Sequence, residues 1–406
     1  MERINGGVCA AKEFKANGVH CGIRKNKSKR DLSLIVSDVR CAAACVYTQN
    51  LVKGAPILVT QRHVADGYAQ AIICNSGNAN TCNENGVAIA EEMCSLVEKY
   101  TGVSANDVVV ASTGVIGLTL SIEPIAGGMA QLAEGLSANA DHSSFAAEAI
   151  MTTDTVKKEI AVSFTLGGKT CTLGVICKGV GMICPNMATM LMFLTTDVAI
   201  SPQMLQKAIS ADVKDSWNML SVDRDTSTND TLCILASGLA GNNEITEANG
   251  DYKKFCRALH AVTTEMCRQL AADGEGATRL IECRVHGARS KKDARLAAKS
   301  VVNSNLVKAM IFGADANGGR VISALGYAGA KLHPAKIDVD FRSAAGTLPA
   351  YRQGSAVPFS EDFAKQVLSE KEIVIDVMLH EGNYRATAWG CDLTYDYVKI
   401  NGDYRT

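Results

Sequence analysis

Residues 179–191 of the chain read Gly-Val-Gly-Met-Ile-Cys-Pro-Asn-Met-Ala-Thr-Met-Leu. This glycine-rich stretch follows an alternating apolar run and opens a second one at 190–194, a pattern typical of a buried strand. The loop therefore delivers Thr189 to the start of that strand. On pattern alone, a threonine in this place is a β-branched strand residue without chemistry.

The whole string, however, resembles the self-cleavage site of the ornithine acetyltransferase (glutamate N-acetyltransferase) family of arginine biosynthesis. In that family the chain is cut between Ala and Thr, so the resemblance implies a cut between Ala188 and Thr189, with Thr189 as nucleophile. The chemistry is consistent, because a threonine hydroxyl needs an adjacent base. A free α-amine with a pKa of about 7.7–8.0 can be that base, whereas an amide nitrogen cannot.

Composition indicates an ordinary globular protein. The 406 residues are 47% hydrophobic and 20% charged, with a formal net charge of −1, which is enough for a large core and two lobes. A near-neutral charge favours neither a nucleic acid nor an anionic membrane as partner. The sequence has no apolar signal core and no stretch that could span a bilayer, so we expect a cytoplasmic protein.

Fifteen cysteines raise the alternative of a metal or redox protein. They are scattered, odd in number and never form Cys-x-x-Cys, and the seven histidines are isolated. We therefore predict no metal site, and reduced cysteines that are mostly buried as small apolar residues.

A second motif follows the predicted strand at 108–111 and reads Ser-Thr-Gly-Val-Ile-Gly. A tight turn is one explanation. Alternatively, a hydroxyl and a glycine amide side by side on a rigid strand end could both donate to one developing oxyanion. The string resembles the oxyanion segment of the same family, which assigns that role to Thr113 and to the Gly114 N–H.

Further strings that match the family imply residues that contact the substrate. The nucleophile Thr189 is one of these residues. The Met-Thr-Thr-Asp-Thr string gives Thr152, the Lys-Gly-Val-Gly-Met-Ile string gives Lys178, and the Gly-Glu-Gly-Ala-Thr string gives Glu275. The tail gives Asn401 and the C-terminal Thr406, whose carboxylate would suit a substrate ammonium group. The structural alternatives are a helix exit, a solvated strand-end lysine, a helix stop and a frayed terminus.

Two polar loops complete the resemblance. The Asn-Ser-Gly-Asn-Ala-Asn string at 75–80 is rich in residues that favour turns. The resemblance to the family implies that this loop shapes the site. The loop at 223–230 contains the Asp-Thr-Ser-Thr-Asn-Asp signature, but Arg224 stands where the family often has glycine. No individual role is predicted for this loop.

Short strands and amphipathic helices predict an α+β or α/β fold. Among the elements we expect a hairpin at 160–177, one helix at 293–310 and a strand pair at 373–379 and 384–389. The resemblance implies layered sheets sandwiched by helices, in the fold shared with self-cleaving aminopeptidases. A cut would give an α chain of 1–188, carrying the oxyanion hole, and a β chain of 189–406, expected to associate as a heterotetramer of two α and two β chains.

The implied reaction is ping-pong acyl transfer from N2-acetylornithine to glutamate through acetyl-Thr189. It needs no metal and no cofactor, while acetyl-CoA remains open as a further co-substrate. Two alternatives stand beside it: an aminopeptidase or amidohydrolase of the same self-cleaving fold, and a non-enzymatic cysteine-rich protein.

Overall fold

The computed structural model of the chain describes residues 1–184 and 190–402. The strands, in chain order, are β1 (Glu2–Ile4), β2 (Phe14–Val19), β3 (Leu32–Tyr47), β4 (Tyr68–Asn78), β5 (Val108–Val115), β6 (Lys158–Leu166), β7 (Lys169–Lys178), β8 (Leu191–Thr196), β9 (Leu220–Ser221), β10 (Thr231–Ala236), β11 (Leu280–Ala288), β12 (Asp338–Ser343), β13 (Gly346–Arg352), β14 (Ser355–Ala356), β15 (Glu372–Met378) and β16 (Tyr384–Cys391).

The α-helices are α1 (Ala55–His63), α2 (Gly86–Thr101), α3 (Glu123–Glu134), α4 (Ala140–Ile150), α5 (Pro202–Asp212), α6 (Gly250–Ala272), α7 (Lys291–Asn303), α8 (Asn305–Phe312), α9 (Gly318–Gly326), α10 (Glu361–Ser369) and α11 (Tyr395–Gly402). Short 3₁₀ turns cover Gly7–Cys9, Ala105–Asp107, Trp217–Met219 and Pro334–Lys336. None of the helices in the described part of the chain is long and apolar enough to cross a membrane.

The described residues form two compact units. The first comprises 1–179, 190–213 and 226–266, and the second 180–184, 214–225 and 267–402. These units do not follow the predicted α and β chains, because β8, β10 and most of α6 belong to the first unit. A division into compact units does not show whether the peptide bond between residues 188 and 189 is cut. The division into α and β chains therefore stays a prediction.

The first unit is built on one mixed sheet with the order β1-β6-β7-β8-β10-β3-β4-β5, and β2 pairs with β3. Successive side chains of β4 point to opposite faces of the sheet, and both faces are covered by helices. Ile72 and Cys74 belong to the core cluster that includes α4, whereas Ala71 and Ile73 belong to the cluster that includes α2 and α3. Because side chains alternate across a strand, the sheet separates two hydrophobic cores. The predicted layered α+β architecture is confirmed.

The predicted elements around the central stretch are confirmed. β8 is buried along its whole length and lies between β7, which is antiparallel to it, and β10, which is parallel. The predicted hairpin is formed by β6 and β7, and Gly167 and Gly168 make its turn with φ of 54° and 79°. These left-handed values are readily available to glycine, which explains the two-residue turn.

The second unit contains a sheet with the order β14-β13-β12-β15-β11-β16-β9, with α7 packed against β11 and β16. Two predictions are wrong here. The expected helix at 293–310 is two helices, because Ser304 has an extended backbone and its hydroxyl accepts from the Val307 N–H, capping α8. The strands β15 and β16 exist but do not pair with each other, since β11 lies between them.

Most of the cysteines are buried, as predicted. Burial raises the pKa of the Cys41 and Cys94 thiols to about 12, so these side chains are neutral apolar residues at neutral pH.

Candidate active site

The two polar strings of the first unit meet at the ends of two neighbouring strands. β4 and β5 are parallel, with Ser76 opposite Thr113 and Gly77 opposite Gly114. The register then shifts, because Asn78 pairs with both Thr113 and Val115. Such a bulge ends regular pairing and redirects side chains, which is why bulges occur beside active sites. The Thr-Gly pair thus lies near the end of β5, where this register shift occurs.

Gly114 occupies a position that only glycine fits. Its φ is +133°, and a Cβ built on it would lie 2.3 Å from the Gly77 carbonyl carbon. No real Cβ approaches another backbone that closely, so the backbone of Gly77 can lie here only because Gly114 has no side chain. Packing therefore requires glycine at position 114.

Thr113 is buried, and its hydroxyl oxygen accepts a hydrogen bond from Lys178 Nζ at 3.0 Å. An ammonium group can only donate, so the hydroxyl proton of Thr113 remains available for another acceptor. Burial lowers the pKa of Lys178, while the negative charges of Asp154 and Asp230 act in the opposite direction. Two predicted site residues from β5 and β7 are thus in direct contact.

Asp154 is a site residue that the sequence analysis missed. Its carboxylate accepts from the backbone N–H of Thr152 at 3.1 Å and from that of Gly179 at 2.9 Å. It also forms an ion pair with Lys158 at 2.8 Å, and neither side chain of this pair is exposed. The available signal was the acidic residue inside the Met-Thr-Thr-Asp-Thr string, with a lysine four positions later.

Burial acts to raise the pKa of Asp154. The charges of Lys158 and Lys178 and the hydrogen bonds from Lys158 and Gly179 outweigh it, so its pKa lies below the ordinary value. The carboxylate is therefore ionised at neutral pH. Through its hydrogen bonds with the Thr152 and Gly179 N–H groups, Asp154 connects the backbone at Thr152 to the backbone next to Lys178.

The polar loops brace this strand end. Ser112 Oγ donates to Asn75 Oδ1 at 2.6 Å, and Asn75 Nδ2 donates to the Asn78 carbonyl at 3.0 Å. Asn229, from the loop without a predicted role, donates to the carbonyls of Ala79 at 2.5 Å and Ser112 at 3.0 Å. The loop at 226–230 thus holds the residues next to Thr113 in place.

In the second unit, Glu275 is buried and its carboxylate accepts from Asn401 Nδ2 at 2.7 Å. These two predicted substrate residues are therefore brought together. Val180 and Gly181 lie beside them: the Glu275 N–H donates to the Val180 carbonyl at 2.8 Å. A Cβ on Gly181 would lie 2.3 Å from Glu275 Oε2, so glycine is required for the carboxylate to sit there.

Asp223 binds the same segment through a different pair of contacts. Its two oxygens accept from the backbone N–H groups of Met182 at 2.6 Å and Ile183 at 2.8 Å. The next residue, Arg224, has a φ of 74°, in the left-handed region that favours glycine. This backbone conformation explains why glycine suits that position.

The described part of the tail, up to residue 402, is held by hydrogen bonds and ends in the helix α11. Asp392 accepts from the N–H groups of Thr278 and Arg279 at 2.8 and 3.0 Å, and Thr394 Oγ1 donates to the Gly276 carbonyl at 2.7 Å. α11 then carries Asn401, while Tyr395 is 84% exposed. The predicted residues Ala188, Thr189 and Thr406 lie outside the described residues.

The first unit therefore brings together Thr113, Gly114, Lys178 and the chain at Thr152, and the second unit brings together Glu275 and Asn401. A buried hydroxyl beside a glycine amide, with a lysine on the hydroxyl, has the composition of a site that stabilises negative charge on oxygen. Such a donor set suits the class of enzymes that transfer acyl groups, because an oxyanion develops in that reaction.

Comparison with known proteins identifies the family. The ArgJ family model matches residues 15–406. The chain is 49% identical over 408 residues to the arginine biosynthesis bifunctional protein ArgJ of Symbiobacterium thermophilum, covering 100% of both chains. It is 48% identical over 394 residues to ArgJ 1 of Clostridium acetobutylicum, covering 97% of this chain and 96% of that protein.

Among solved structures, the chain is similar to the arginine biosynthesis bifunctional protein argJ of Bacillus halodurans, with 44% identity and a TM-score of 0.49. That likeness covers 52% of this chain and 97% of the other. The chain belongs to the ArgJ family. Membership confirms both the resemblance found in the sequence and the predicted class of enzyme, an acyltransferase.

Proposed function

We propose that the chain is a self-processed acetyltransferase that moves an acetyl group from N2-acetylornithine to glutamate, giving ornithine and N-acetylglutamate. The observation that carries the proposal is the contact between Lys178 and Thr113 beside Gly114. These donors lie in the sheet that also contains β8, whose Leu191 pairs with Lys178. In the sequence, Thr189 stands two residues before Leu191.

In the first half-reaction, the α-amine of Thr189, directly or through a water, takes the proton of its own hydroxyl. Oγ attacks the acetyl carbonyl, and the Thr113 hydroxyl with the Gly114 N–H donates to the oxyanion. The C–N bond then breaks, and ornithine leaves with the proton on its amine. Acetyl-Thr189 remains as an ester.

In the second half-reaction, the glutamate amine attacks the ester, and the Thr189 hydroxyl is restored when N-acetylglutamate leaves. One amine replaces another of similar basicity, so the exchange needs little driving force. Glu275 and Asn401, with the Thr406 carboxylate, are the proposed partners of the amino-acid part of the substrates. No metal or cofactor is required, and acetyl-CoA is a further donor to test, because the relatives are named bifunctional.

Self-processing would leave the β chain anchored. Leu191, Met192, Phe193 and Leu194 are each at most 2% exposed. Burial of side chains of this size stabilises by about 1.5–3 kcal/mol each, so a cut before Thr189 would not release β8. We further propose that the protein acts in the cytoplasm as two α and two β chains, which a native mass measurement tests.

Denaturing intact-mass analysis with N-terminal sequencing is the decisive experiment. We expect two chains, one of which begins Thr-Met-Leu-Met. Thr189→Ala should abolish both processing and transfer, whereas Thr189→Ser, which keeps a hydroxyl, should retain both at lower rate. A Thr189→Ala enzyme that still turns over would contradict the mechanism.

Product analysis separates the proposed transferase from a hydrolase of the same fold. With N2-acetylornithine alone, a transferase should release little acetate, and addition of glutamate should yield N-acetylglutamate. Acetate release that glutamate does not change would identify the hydrolase instead.

A further inference from the structure

Two cysteines lie opposite each other on neighbouring strands of the first unit. In the antiparallel pair of β3 and β10, Cys45 is the partner of Cys233, and both are free thiols. Residues that are directly opposite project to the same face of a sheet, and both side chains belong to the core cluster that includes α4. A hydrogen bond between the two thiols, together with burial, raises the pKa of the Cys233 thiol. The two sulfur atoms are therefore neighbours.

The backbone of Cys45 shows that the two cysteines form the closer type of antiparallel pair. Its N–H donates to Gln206 Oε1 at 3.2 Å, and its carbonyl accepts from Gln206 Nε2 at 3.1 Å. Both groups therefore point away from β10, as they do in a pair that exchanges no backbone hydrogen bonds. Such pairs have Cα atoms about 4.5 Å apart, and disulfides join Cα atoms that are about 4.4–6.8 Å apart. The two strands thus hold the cysteines at a separation that a disulfide spans.

We propose that Cys45 and Cys233 form a redox modification site, at which a small organic disulfide such as oxidised glutathione joins them covalently. The Cys45 thiolate attacks one sulfur of the oxidant, whose S–S bond breaks, and one glutathione leaves. Cys233 then attacks the Cys45 sulfur of this mixed disulfide, and the second glutathione leaves. In each step the proton of the attacking thiol passes through solvent to the departing glutathione. Two protein thiols are oxidised and one molecule of the oxidant is reduced.

Cys45 is the thiol that the oxidant reaches first. It lines a cavity of about 400 Å³ together with the exposed residues Gln61 and Gln203, so the cavity opens to solvent. Cys45 keeps 7% exposure, whereas Cys233 has none. Cys41, a third buried thiol of the same cluster, does not compete. Four residues at about 3.4 Å each place it about 13 Å from Cys45 along β3, which is too far for a disulfide.

The disulfide has a particular consequence for a processed protein. Cys45 precedes the predicted cut and Cys233 follows it, so the bond ties the α chain to the β chain. It does so next to β8, because β10 pairs with β8 on its other edge. Only this consequence rests on the proposed function, since the pairing of the two cysteines does not depend on a cut.

Peptide mapping of the oxidised protein tests the inference. Reduced native protein is incubated with oxidised glutathione, quenched with acid, alkylated in denaturant and digested. We expect a peptide pair that links Cys45 to Cys233 and separates on reduction. Cys45→Ala and Cys233→Ala should each abolish this link, whereas Cys41→Ala, the matched control, should leave it. In a denaturing gel, the oxidised processed protein should migrate as one species without reductant and as two chains with it.

The exposed thiol of Cys82 reports whether the oxidant was active. If Cys82 carries glutathione while Cys45 and Cys233 are both recovered alkylated, the inference is wrong. A link from Cys233 to Cys41 would overturn it as well. These outcomes are read on the wild type, so they hold even if an alanine variant folds poorly. A protein that forms the expected link but remains one chain after reduction rejects the proposed processing and retains this inference.

Discussion

The backbones of Gly77 and Gly114 are in direct contact, so that a Cβ on Gly114 would lie 2.3 Å from the Gly77 carbonyl carbon. Gly114→Ala must therefore separate β4 from β5 next to Thr113, and it must also hold φ near +133°. Overpacking and backbone strain together should lower the free energy of unfolding by about 2–5 kcal/mol. We expect transfer to be lost at the same time, and chemical denaturation with an activity assay measures both.

Gly117→Ala is the matched control for that substitution. Gly117 also has a positive φ, +78°, but nothing lies within 4 Å of its Cβ position. It should therefore cost only the backbone strain, about 1 kcal/mol. Equal losses of stability in the two variants would show that strain alone, and not the contact with Gly77, explains the glycine at 114.

Gly181→Ala should impair substrate binding. The added Cβ would lie 2.3 Å from Glu275 Oε2, so the carboxylate must leave its place and its contact with Asn401. If Glu275 binds a substrate ammonium group, KM should rise by about tenfold or more, because a hydrogen bond to a charged group contributes about 1.5–3 kcal/mol. Gly326→Ala, at a helical position with open space, is the control and should leave KM unchanged. An unaltered KM in Gly181→Ala would argue against the role of Glu275.

Asn229→Ala should weaken the strand end without touching the substrate. It removes hydrogen bonds to the carbonyls of Ala79 and Ser112 and leaves both buried acceptors without this donor. We expect the free energy of unfolding to fall by about 2–4 kcal/mol and kcat to fall with it. Asn83→Ala is the control, because Asn83 is less buried and, among the described residues, its side chain makes one hydrogen bond, from Nδ2 to Asn80 Oδ1 at 3.2 Å. The midpoint of thermal unfolding should be clearly lower for Asn229→Ala than for Asn83→Ala. Similar midpoints would contradict the proposal that Asn229 stabilises the strand end.

The elements around the site could be predicted because each carried its own local signal. The Gly167-Gly168 turn between alternating strands and the apolar run of β8 are patterns of few residues, and local physics decides them. The helix break at Ser304 was missed because a capping hydroxyl inside an apolar pattern looks like an ordinary helical residue. The insertion of β11 between β15 and β16 was missed because strand order depends on contacts between distant parts of the chain.

The site residues divide in the same way. Thr113, Gly114, Lys178 and Glu275 stand in strings that resemble a family, so they could be named from the sequence. Asn229 could not be given a role, because its partners Ala79 and Ser112 lie far away in the sequence. Asp154 has the local partners Thr152 and Lys158, but its burial and its contact with Gly179 become visible only in the fold. The role of a buried carboxylate or amide can be assigned only when the fold shows which groups it binds by hydrogen bonds.

The buried pair of Asp154 and Lys158 should make stability depend on pH. Burial acts to raise the pKa of Asp154, but Lys158, Lys178 and the Gly179 N–H outweigh it, so the folded-state pKa lies below the unfolded value of about 3.9. A depressed pKa means that the carboxylate stabilises the fold above the unfolded pKa, and that this contribution is lost as the pH falls through the folded pKa. Asp154→Asn removes the negative charge of this buried ion pair and should cost about 3–5 kcal/mol at neutral pH.

The difference in free energy of unfolding between wild type and Asp154→Asn should therefore be constant from about pH 5 to 7 and shrink below about pH 4. Asp197 gives a control of opposite sign, because burial raises its pKa despite a hydrogen bond from the Thr172 N–H at 2.7 Å. Its ionised form is disfavoured in the fold, so any gain from Asp197→Asn at neutral pH should vanish as the pH falls through the raised pKa. Urea denaturation across this range measures both differences. If the cost of Asp154→Asn were the same at pH 3 as at pH 7, folding would not shift the pKa of Asp154, and the charge balance around this carboxylate would be wrong.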